Sequence, residues 1–141
     1  MAPGMFGLTK NGASASDLAI TTAGTTICTP VTGLTGMQAL LVSLIFLYGS
    51  GTGTLKAYLQ SSVDGQAWDD IACLSVTNAS ATKRWNFSAL TPVIAPVTPT
   101  DGAMADNTAQ DGMLGTMVRL KVVVTGSYSG NTVLAGRIVA R

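Results

Sequence analysis

The side chains best suited to acid–base chemistry in this sequence are carboxylates, because it contains seven Asp residues, no Glu and no His. The lack of His excludes a Ser-His-Asp or Cys-His nucleophile system and a zinc site built from imidazoles. Asp69 and Asp70 are adjacent in a segment that alternates like a strand, so their side chains should point to opposite faces. They cannot share a proton, and we expect them to form the solvated flank of a hairpin. The sequence therefore predicts a protein that is not an enzyme.

A second group of side-chain oxygens could in principle bind calcium, which prefers oxygen ligands. It comprises Asp101, Asp106, Asn107 and Asp111, but the spacing is not that of an EF-hand loop. Two of these Asp residues precede Gly, a pair that commonly forms turns. The run GSGTGT at 49–54 lacks the Lys and the following helix of a phosphate-binding loop. We therefore expect neither a metal nor a cofactor.

Three aromatic side chains, Tyr58, Trp68 and Trp85, could form a stacking platform for a sugar. Trp68 follows a hairpin signal, Asp64-Gly65, and such a residue more often packs across the strand pair. Trp85 follows two basic residues and could be half exposed at an interface. We expect core or interface packing for both Trp residues, and we keep a carbohydrate- or receptor-binding module as an alternative.

The composition suggests a subunit whose surface is covered by other subunits. Charged residues make up 11% of the 141 residues, against the ~25% usual in soluble domains. The net charge of +1 is too small for a nucleic-acid footprint, so we expect no direct nucleic-acid partner. Cys28 and Cys73 show no CxxC spacing, and we expect free, buried thiols. A permanent homo-oligomer would explain the low charge.

The most apolar run, Met37–Tyr48, has 12 residues and no charge. It is too short for a bilayer span of ~20 residues, so we expect no membrane partner. Gly-rich flanks favour a strand over a helix. Both faces of that strand are apolar, so one should meet the core and the other a partner or a folded-back segment. Leu41, Ile45 and Leu47 are therefore interface candidates.

The rest of the chain alternates like short strands separated by turns. The segments with this pattern are Asp17–Thr22, Thr25–Thr29, Thr54–Val63, Trp68–Val76, Thr82–Ser88, Met117–Thr125 and Thr132–Arg141. The Gly-rich runs at 49–54 and 126–131 read as turns. Lys56 and Gln60 fall on the polar face of their segment, so charges should be tolerated there. Seven to eight strands in one domain, residues 1–141, predict an all-β sandwich or jelly roll.

One segment, Thr91–Thr116, breaks this pattern and is called the arm below. Its 26 residues include three prolines, and its only charges are three Asp residues; Pro excludes a central strand, and few loops exceed ~12–15 residues. We expect an extended arm ordered on a neighbouring copy, so that deleting Pro92 to Gly115 would spare the fold and weaken assembly; a solvated acidic loop is the alternative. The further interface candidates are Trp85, Pro92, Ile94, Pro96, Pro99, Asp101, Asp106 and Asp111.

Three stretches, QSSVDGQAWDDIACLSV, LTPVIAPVTPTDGAMADNTAQDG and SYSGNTVLAGRIVAR, resemble the small structural proteins of tailed bacteriophages and prophages. The resemblance runs over roughly Thr54 to Arg141 and implies a virion component. A small, His-free β-sandwich of low charge is most similar to capsid decoration (cement) proteins, which often form trimers that bridge capsomers. The implied partners are copies of itself and the major capsid protein, in a phage head assembled in the bacterial cytoplasm. A tail or head–tail connector subunit is the alternative.

Overall fold

A computed structural model describes residues 3–10 and 17–141 of the chain. These residues form nine strands in two antiparallel sheets and no helix, which confirms the predicted all-β sandwich. Accordingly, the described residues contain no helix that could cross a membrane. The prediction of one domain over residues 1–141 includes residues 1–2 and 11–16, which lie outside the described part.

The nine strands differ widely in length, from two to thirteen residues. They are β1 Gly4–Gly7, β2 Leu18–Ala19, β3 Gly24–Ile27, β4 Ala39–Leu47, β5 Ser50–Ser62, β6 Asp69–Val76, β7 Ala81–Ser88, β8 Met117–Ser129 and β9 Val133–Ala140. The first sheet has the order β1-β9-β4-β7, with β2 also paired to β9. The second has the order β3-β8-β5-β6. Consecutive strands mostly change sheets, whereas β5 and β6 form a hairpin around Asp64-Gly65.

The core lies between the two sheets and is built from alternating positions of the long strands. On β4, the inward side chains are fully buried aliphatic or aromatic groups: Leu40, Val42, Leu44 and Phe46. Facing them across the core are Leu55, Ala57 and Leu59 of β5 and Val118, Leu120 and Val122 of β8. Burial of this apolar area, at roughly 25 cal/mol per Å², is what holds the two sheets together.

Strand β4 confirms the prediction of a strand within Met37–Tyr48, and its bounds differ by only two residues or fewer. Its second face, with Leu41, Ser43 and Ile45, is half-buried, and Leu47 is exposed. The backbone of the arm pairs with β6 of the second sheet, and Asp111 of the arm contacts the first sheet at Ser88, the last residue of β7. The structure therefore confirms that one face of β4 packs in the core. The predicted partner of its other face stays a prediction.

The two Gly-rich runs expected to be turns belong largely to strands. Residues Ser50–Thr54 continue β5 and pair with Thr125–Ser129 of β8. The glycines are needed there because Tyr128 lies flat against the neighbouring strand: a Cβ on Gly53 would be 2.9 Å from its ring. The ring packs edge-on against Phe46, with centroids 5.6 Å apart, and its hydroxyl donates to the Thr77 carbonyl at 2.7 Å. Gly53 therefore provides room for the ring, whereas Gly51 and Gly126 also adopt positive φ values of 101° and 81°, which favour glycine.

Replacing Gly53 with Ala should destabilise the fold by about 1–3 kcal/mol through overpacking. The added methyl group would lie 2.5 Å from the Thr125 carbonyl oxygen, which is backbone and cannot rotate away. Gly4→Ala is the matched control, since its Cβ would meet only the Phe6 ring at an ordinary 3.7 Å. Urea unfolding measures both; equal stabilities of the two variants would contradict the close approach.

Candidate functional site

The arm lies on the second sheet of its own chain. Ala109 forms an antiparallel bridge with Ala72 of β6. On either side, the Cys73 amide donates to the Thr108 carbonyl at 3.0 Å and the Gln110 amide donates to the Ile71 carbonyl at 2.8 Å. The sequence analysis expected the arm to be ordered on a neighbouring copy, but the structure gives it partners in the same chain. The physical reason is the β6 edge, whose open backbone groups pair with the arm.

Asp70 anchors the arm to this sheet. Its buried carboxylate accepts hydrogen bonds from three successive backbone amides of the arm: Gly102 at 2.8 and 2.9 Å, Ala103 at 2.9 Å and Met104 at 3.2 Å. Gly102 has a φ of 82°, which turns the chain so that the amides converge on one anion. Bonds to an ionised acceptor are roughly twice as strong as neutral ones. The prediction of a solvated hairpin flank is therefore wrong for Asp70.

A polar network extends from Asp70 across the outer face of the second sheet. The Gln60 side-chain amide donates to Asp70 at 2.9 Å and to Asp101 at 2.7 Å, and its carbonyl accepts from Arg119 at 2.8 Å. The Lys121 ammonium closes the network with a 2.9 Å ion pair to Asp101. Gln60 is fully buried, so the prediction that a charge would be tolerated there is wrong. This network holds the arm on the second sheet. The sequence of β5 by itself shows only an alternation of apolar and polar residues.

The stability of the arm should depend on pH through Asp101. Hydrogen bonds from Lys121 and Gln60 lower the pKa of this carboxyl below its ordinary value of 3.8. A lowered folded-state pKa contributes stability above the unfolded value, and that stability is lost as the pH falls through the folded value. Between about pH 6 and about pH 3, Asp101→Asn should therefore lose less unfolding free energy than the wild type. Denaturant unfolding at the two pH values checks this, and an equal loss in both proteins would contradict it.

Asp69 faces the opposite side of β6 from Asp70, as predicted. It is paired in register with Ser61, whereas Asp70 is paired with Gln60. One carboxylate oxygen accepts from the Thr100 amide at 3.2 Å, and the other is buried without a hydrogen-bond partner among the described residues. Burial raises the pKa of Asp69. The two carboxylates therefore do not form an acid–base pair.

The oxygen groups considered for calcium are spread along the arm. Asp106 pairs with Lys56 at 2.9 Å, and Asn107 accepts from the Ser75 amide at 3.1 Å. Asp111 accepts from the Ser88 amide and the Thr91 hydroxyl, each at 2.8 Å. Within the described ranges, no three carboxylates or thiols converge as a metal site would require.

The three aromatic candidates do not share a surface. Tyr58 is buried beneath the arm on the outer face of the second sheet. Trp85 is half-buried on β7 and packs against the core from the first sheet. Trp68 follows the β5–β6 hairpin, and the Arg119 guanidinium lies 4.1 Å above its ring. The geometry gives no stacking platform made of all three side chains.

The two cysteines are free and buried, as predicted. Burial raises the pKa of the Cys28 thiol to about 11 and raises the pKa of Cys73 as well. Both thiols are therefore protonated and poorly nucleophilic at neutral pH. This leaves the protein without a reactive native thiol on the described surface.

The first exposed apolar surface is the outer face of the first sheet. Leu41 and Ile45 of β4 are half-buried there, while Leu47 is 54% exposed and Met5 of β1 is 70% exposed. Charges interrupt it at Arg84, which contacts Ser43 of β4, and at the Arg137–Asp17 ion pair. The interface candidates Leu41, Ile45 and Leu47 therefore share one face.

The second exposed apolar surface projects from the start of the arm. We call residues Leu90–Pro96 the tip. Ile94 is 95% exposed and Leu90 is 70% exposed, with Pro92 and Pro96 exposed beside them. Asp111 holds the base of the tip through Ser88 and Thr91. Four interface candidates thus lie in or under the tip: Pro92, Ile94, Pro96 and Asp111.

An apolar groove lies near the β5–β6 turn. Its volume is about 170 Å³, and its apolar walls are Val63, Ala67, Trp68, Pro99 and Met113. Val63 is 76% exposed at its rim. The interface candidate Pro99 is part of this wall, whereas Asp101 and Asp106 lie farther along the arm in ion pairs. Sequence reasoning missed the groove, because its residues come from three separate segments.

Comparisons of the chain with protein-family models, with curated proteins and with solved structures find no match. The described residues contain no group of three carboxylates or thiols that could hold a metal ion. Their surfaces carry two exposed apolar regions and one apolar groove.

Proposed function

We propose that this protein is a bacteriophage capsid decoration (cement) protein, a homotrimeric subunit that stabilises the head shell by bridging capsomers. The observation that carries the proposal is the tip, which exposes Ile94, Leu90 and two prolines on a chain with only 11% charged residues. Monomeric proteins rarely expose such contiguous apolar groups, which mark interaction sites. The resemblance to phage structural proteins supplies the partner class.

The proposed mechanism is burial of area, without chemistry. A permanent interface of ~2,000 Å² or more, largely apolar, joins subunits stably. The closed sandwich supplies a rigid body, and the anchored arm supplies a surface that is already ordered before assembly. Preorganisation of this kind lowers the entropy cost of binding. The outer face of the first sheet, with Leu41, Ile45 and Leu47, then remains for the major capsid protein.

A tail or head–tail connector subunit is the second candidate. The projecting tip favours it equally, because a ring of subunits needs an element that reaches its neighbour. Negative-stain images of purified assemblies separate the two: threefold particles support decoration, whereas sixfold or twelvefold rings support a connector. For a carbohydrate-binding module, the dispersed aromatic residues offer no support.

Light scattering and capsid binding test the leading proposal together. By light scattering, the purified protein should have the mass of a trimer at micromolar concentration. It should also co-sediment with phage heads that lack their decoration protein. Heads that carry it should survive heating or chelation that bursts undecorated heads. A monodisperse monomer of about 14.4 kDa without affinity for heads would rule the proposal out.

A further inference from the structure

We propose that the tip of one copy docks into the apolar groove of a second copy, so that each subunit gives one tip and receives one. This inference rests on the proposed self-assembly and names the contact through which it occurs. The tip comprises Leu90–Pro96, and the groove is walled by Val63, Ala67, Trp68, Pro99 and Met113.

Exposed large apolar side chains concentrate in these two features. Val63 at the groove rim and Leu90, Val93 and Ile94 in the tip are four of the seven such residues in the described ranges. Neither feature carries a basic group, and Asp69 is the one acidic residue that lines the groove. Because both features are apolar, the tip of one copy is chemically complementary to the groove of a second copy.

The aromatic wall of the groove suits the kind of residue that the tip presents. Pro99 of the same chain forms part of this wall together with Trp68. Proline-rich segments are recognised in this manner, because an extended, prestiffened chain lies against an aromatic wall at low entropy cost. The tip, Leu90–Pro96, contains Pro92 and Pro96 and has no regular strand or helix structure. Its chemistry therefore fits the groove.

The wall of the groove is held rigid before any docking. The Arg119 guanidinium lies 4.1 Å over the Trp68 ring, and its Nε donates to buried Gln60 at 2.8 Å. A cation above an aromatic ring is attracted by the negative face of the ring. The indole thus has a fixed orientation, and the polar network that anchors the arm also supports the groove.

The size of the groove suits one branched side chain of the tip. Its volume of about 170 Å³ is close to that of an apolar cavity of ~150 Å³ that can hold one benzene ring. Ile94 is 95% exposed, and it is therefore the side chain of the tip that we expect to enter the groove. Docking would remove the apolar surface of this side chain from water, which favours association.

The tip does not occupy the groove of its own chain. Its base is fixed beside Gly112, where a Cβ would lie 2.6 Å from both the Thr91 carbonyl oxygen and Val93. Met113, the next residue, already belongs to the groove wall. Ile94 nevertheless points into open space, so the occupant that fits is the tip of another copy.

The area requires more than one such contact in each assembly. Standard interfaces bury ~800 Å² per partner over ~20–30 residues, or about 30 Å² per residue. A seven-residue tip and its groove then bury roughly 450 Å² in total, below the ~1,000 Å² of a specific interface. In a closed ring every copy gives and receives a tip, so each subunit takes part in two such contacts of roughly 450 Å² each. Each pair of neighbours then needs further contact surface beside the tip to reach the area of a specific interface.

Cross-linking with engineered cysteines tests the contact directly, because both native thiols are buried. Ile94→Cys and Val63→Cys proteins, mixed and mildly oxidised, should form a disulfide-linked heterodimer. The matched control pairs Ile94→Cys with Met5→Cys, which is also exposed, at 70%, but lies on the first sheet. A heterodimer yield no higher than in the control would overturn the docking.

A charge in the tip gives the second readout. Ile94→Asp should weaken self-association by about tenfold or more, since the charge would enter an apolar groove. The monomer should keep its unfolding midpoint, because the side chain is exposed. If the wild type is oligomeric and Ile94→Asp is equally so, the docking is wrong while the proposed function stands. If the wild type is monomeric and does not bind heads, the proposed function fails as well.

Discussion

Replacing Asp70 with Ala should lower the free energy of unfolding by about 3–5 kcal/mol. The change removes the acceptor for the backbone amides of Gly102, Ala103 and Met104. It also leaves the Thr100 hydroxyl, now 2.9 Å from the carboxylate, without this partner. Buried donors without acceptors bear a full desolvation cost, so the effect exceeds that of an ordinary surface substitution. Urea unfolding followed by tryptophan fluorescence measures it.

Two other Asp residues serve as controls for this effect. Asp106→Ala removes an exposed ion pair with Lys56 and should change stability by no more than about 0.5 kcal/mol. Asp69→Asn should keep or raise stability at neutral pH, because burial raises the pKa of Asp69 and so disfavours its charged form. A small loss for Asp70→Ala, similar to that of Asp106→Ala, would contradict the anchoring role.

The sequence predicted the two-sheet architecture because hydrophobic alternation decides which face of a strand is buried. Strands β4, β6, β7 and β9 lie within two residues of their predicted ends. The short strand β1 escaped prediction, since four residues of mixed character carry little periodic signal. The two weak N-terminal candidates are confirmed as strands, but both are shorter than predicted.

The polar network was out of reach of the same reasoning. Gln60 alternates with apolar residues along β5, and alternation alone places it on a solvated face. A covering segment from far along the chain changes that, and its position is not encoded in local periodicity. One sequence signal could have indicated the network. The adjacent Asp69 and Asp70 supply carboxylates, and the backbone amides of an Asp-Gly turn in the arm can bind one.

The long Gly-rich strands show a second limit of pattern reading. Glycine has low strand propensity, so Gly51, Gly53 and Gly126 were interpreted as turn residues. In the fold they lie where Tyr128 and the opposing backbone come close. The Tyr128 ring that requires Gly53 is more than seventy positions away from it. Gly51 and Gly126 approach the opposing backbone instead and adopt positive φ.

The arm now divides into an anchored part and a projecting part, which the sequence analysis did not separate. Residues 100–116 are held on β5, β6 and β8 by hydrogen bonds and ion pairs. The tip, Leu90–Pro96, is exposed. Deleting Pro92 to Gly115 was expected to spare the fold, but the structure predicts different results for the two parts.

Removing the anchored part should destabilise the fold by more than Asp70→Ala does. A suitable deletion replaces Pro92–Gln110 with two glycines, because the Thr91 hydroxyl and the Asp111 carboxylate are already 2.8 Å apart. It removes most of the exposed tip as well as residues 100–110, so any loss of stability beyond that of a tip substitution is due to the anchored residues. The deletion takes away all three amide partners of Asp70 and the pairing along the β6 edge. It also uncovers Tyr58 and Gln60, which are 5% and 0% exposed in the intact chain. The loss should therefore exceed about 5 kcal/mol.

Ile94→Ser is the matched change in the projecting part, and it should alter stability by no more than about 0.5 kcal/mol. The pair of variants separates folding from assembly: the deletion should reduce the unfolding midpoint, whereas the substitution should reduce only self-association. Amide hydrogen exchange locates the damage, with protection lost first on β6 in the deletion variant. A deletion variant that unfolds at the wild-type midpoint would show that the arm is an appendage. Its anchoring to Asp70 would then contribute nothing to the stability of the sandwich.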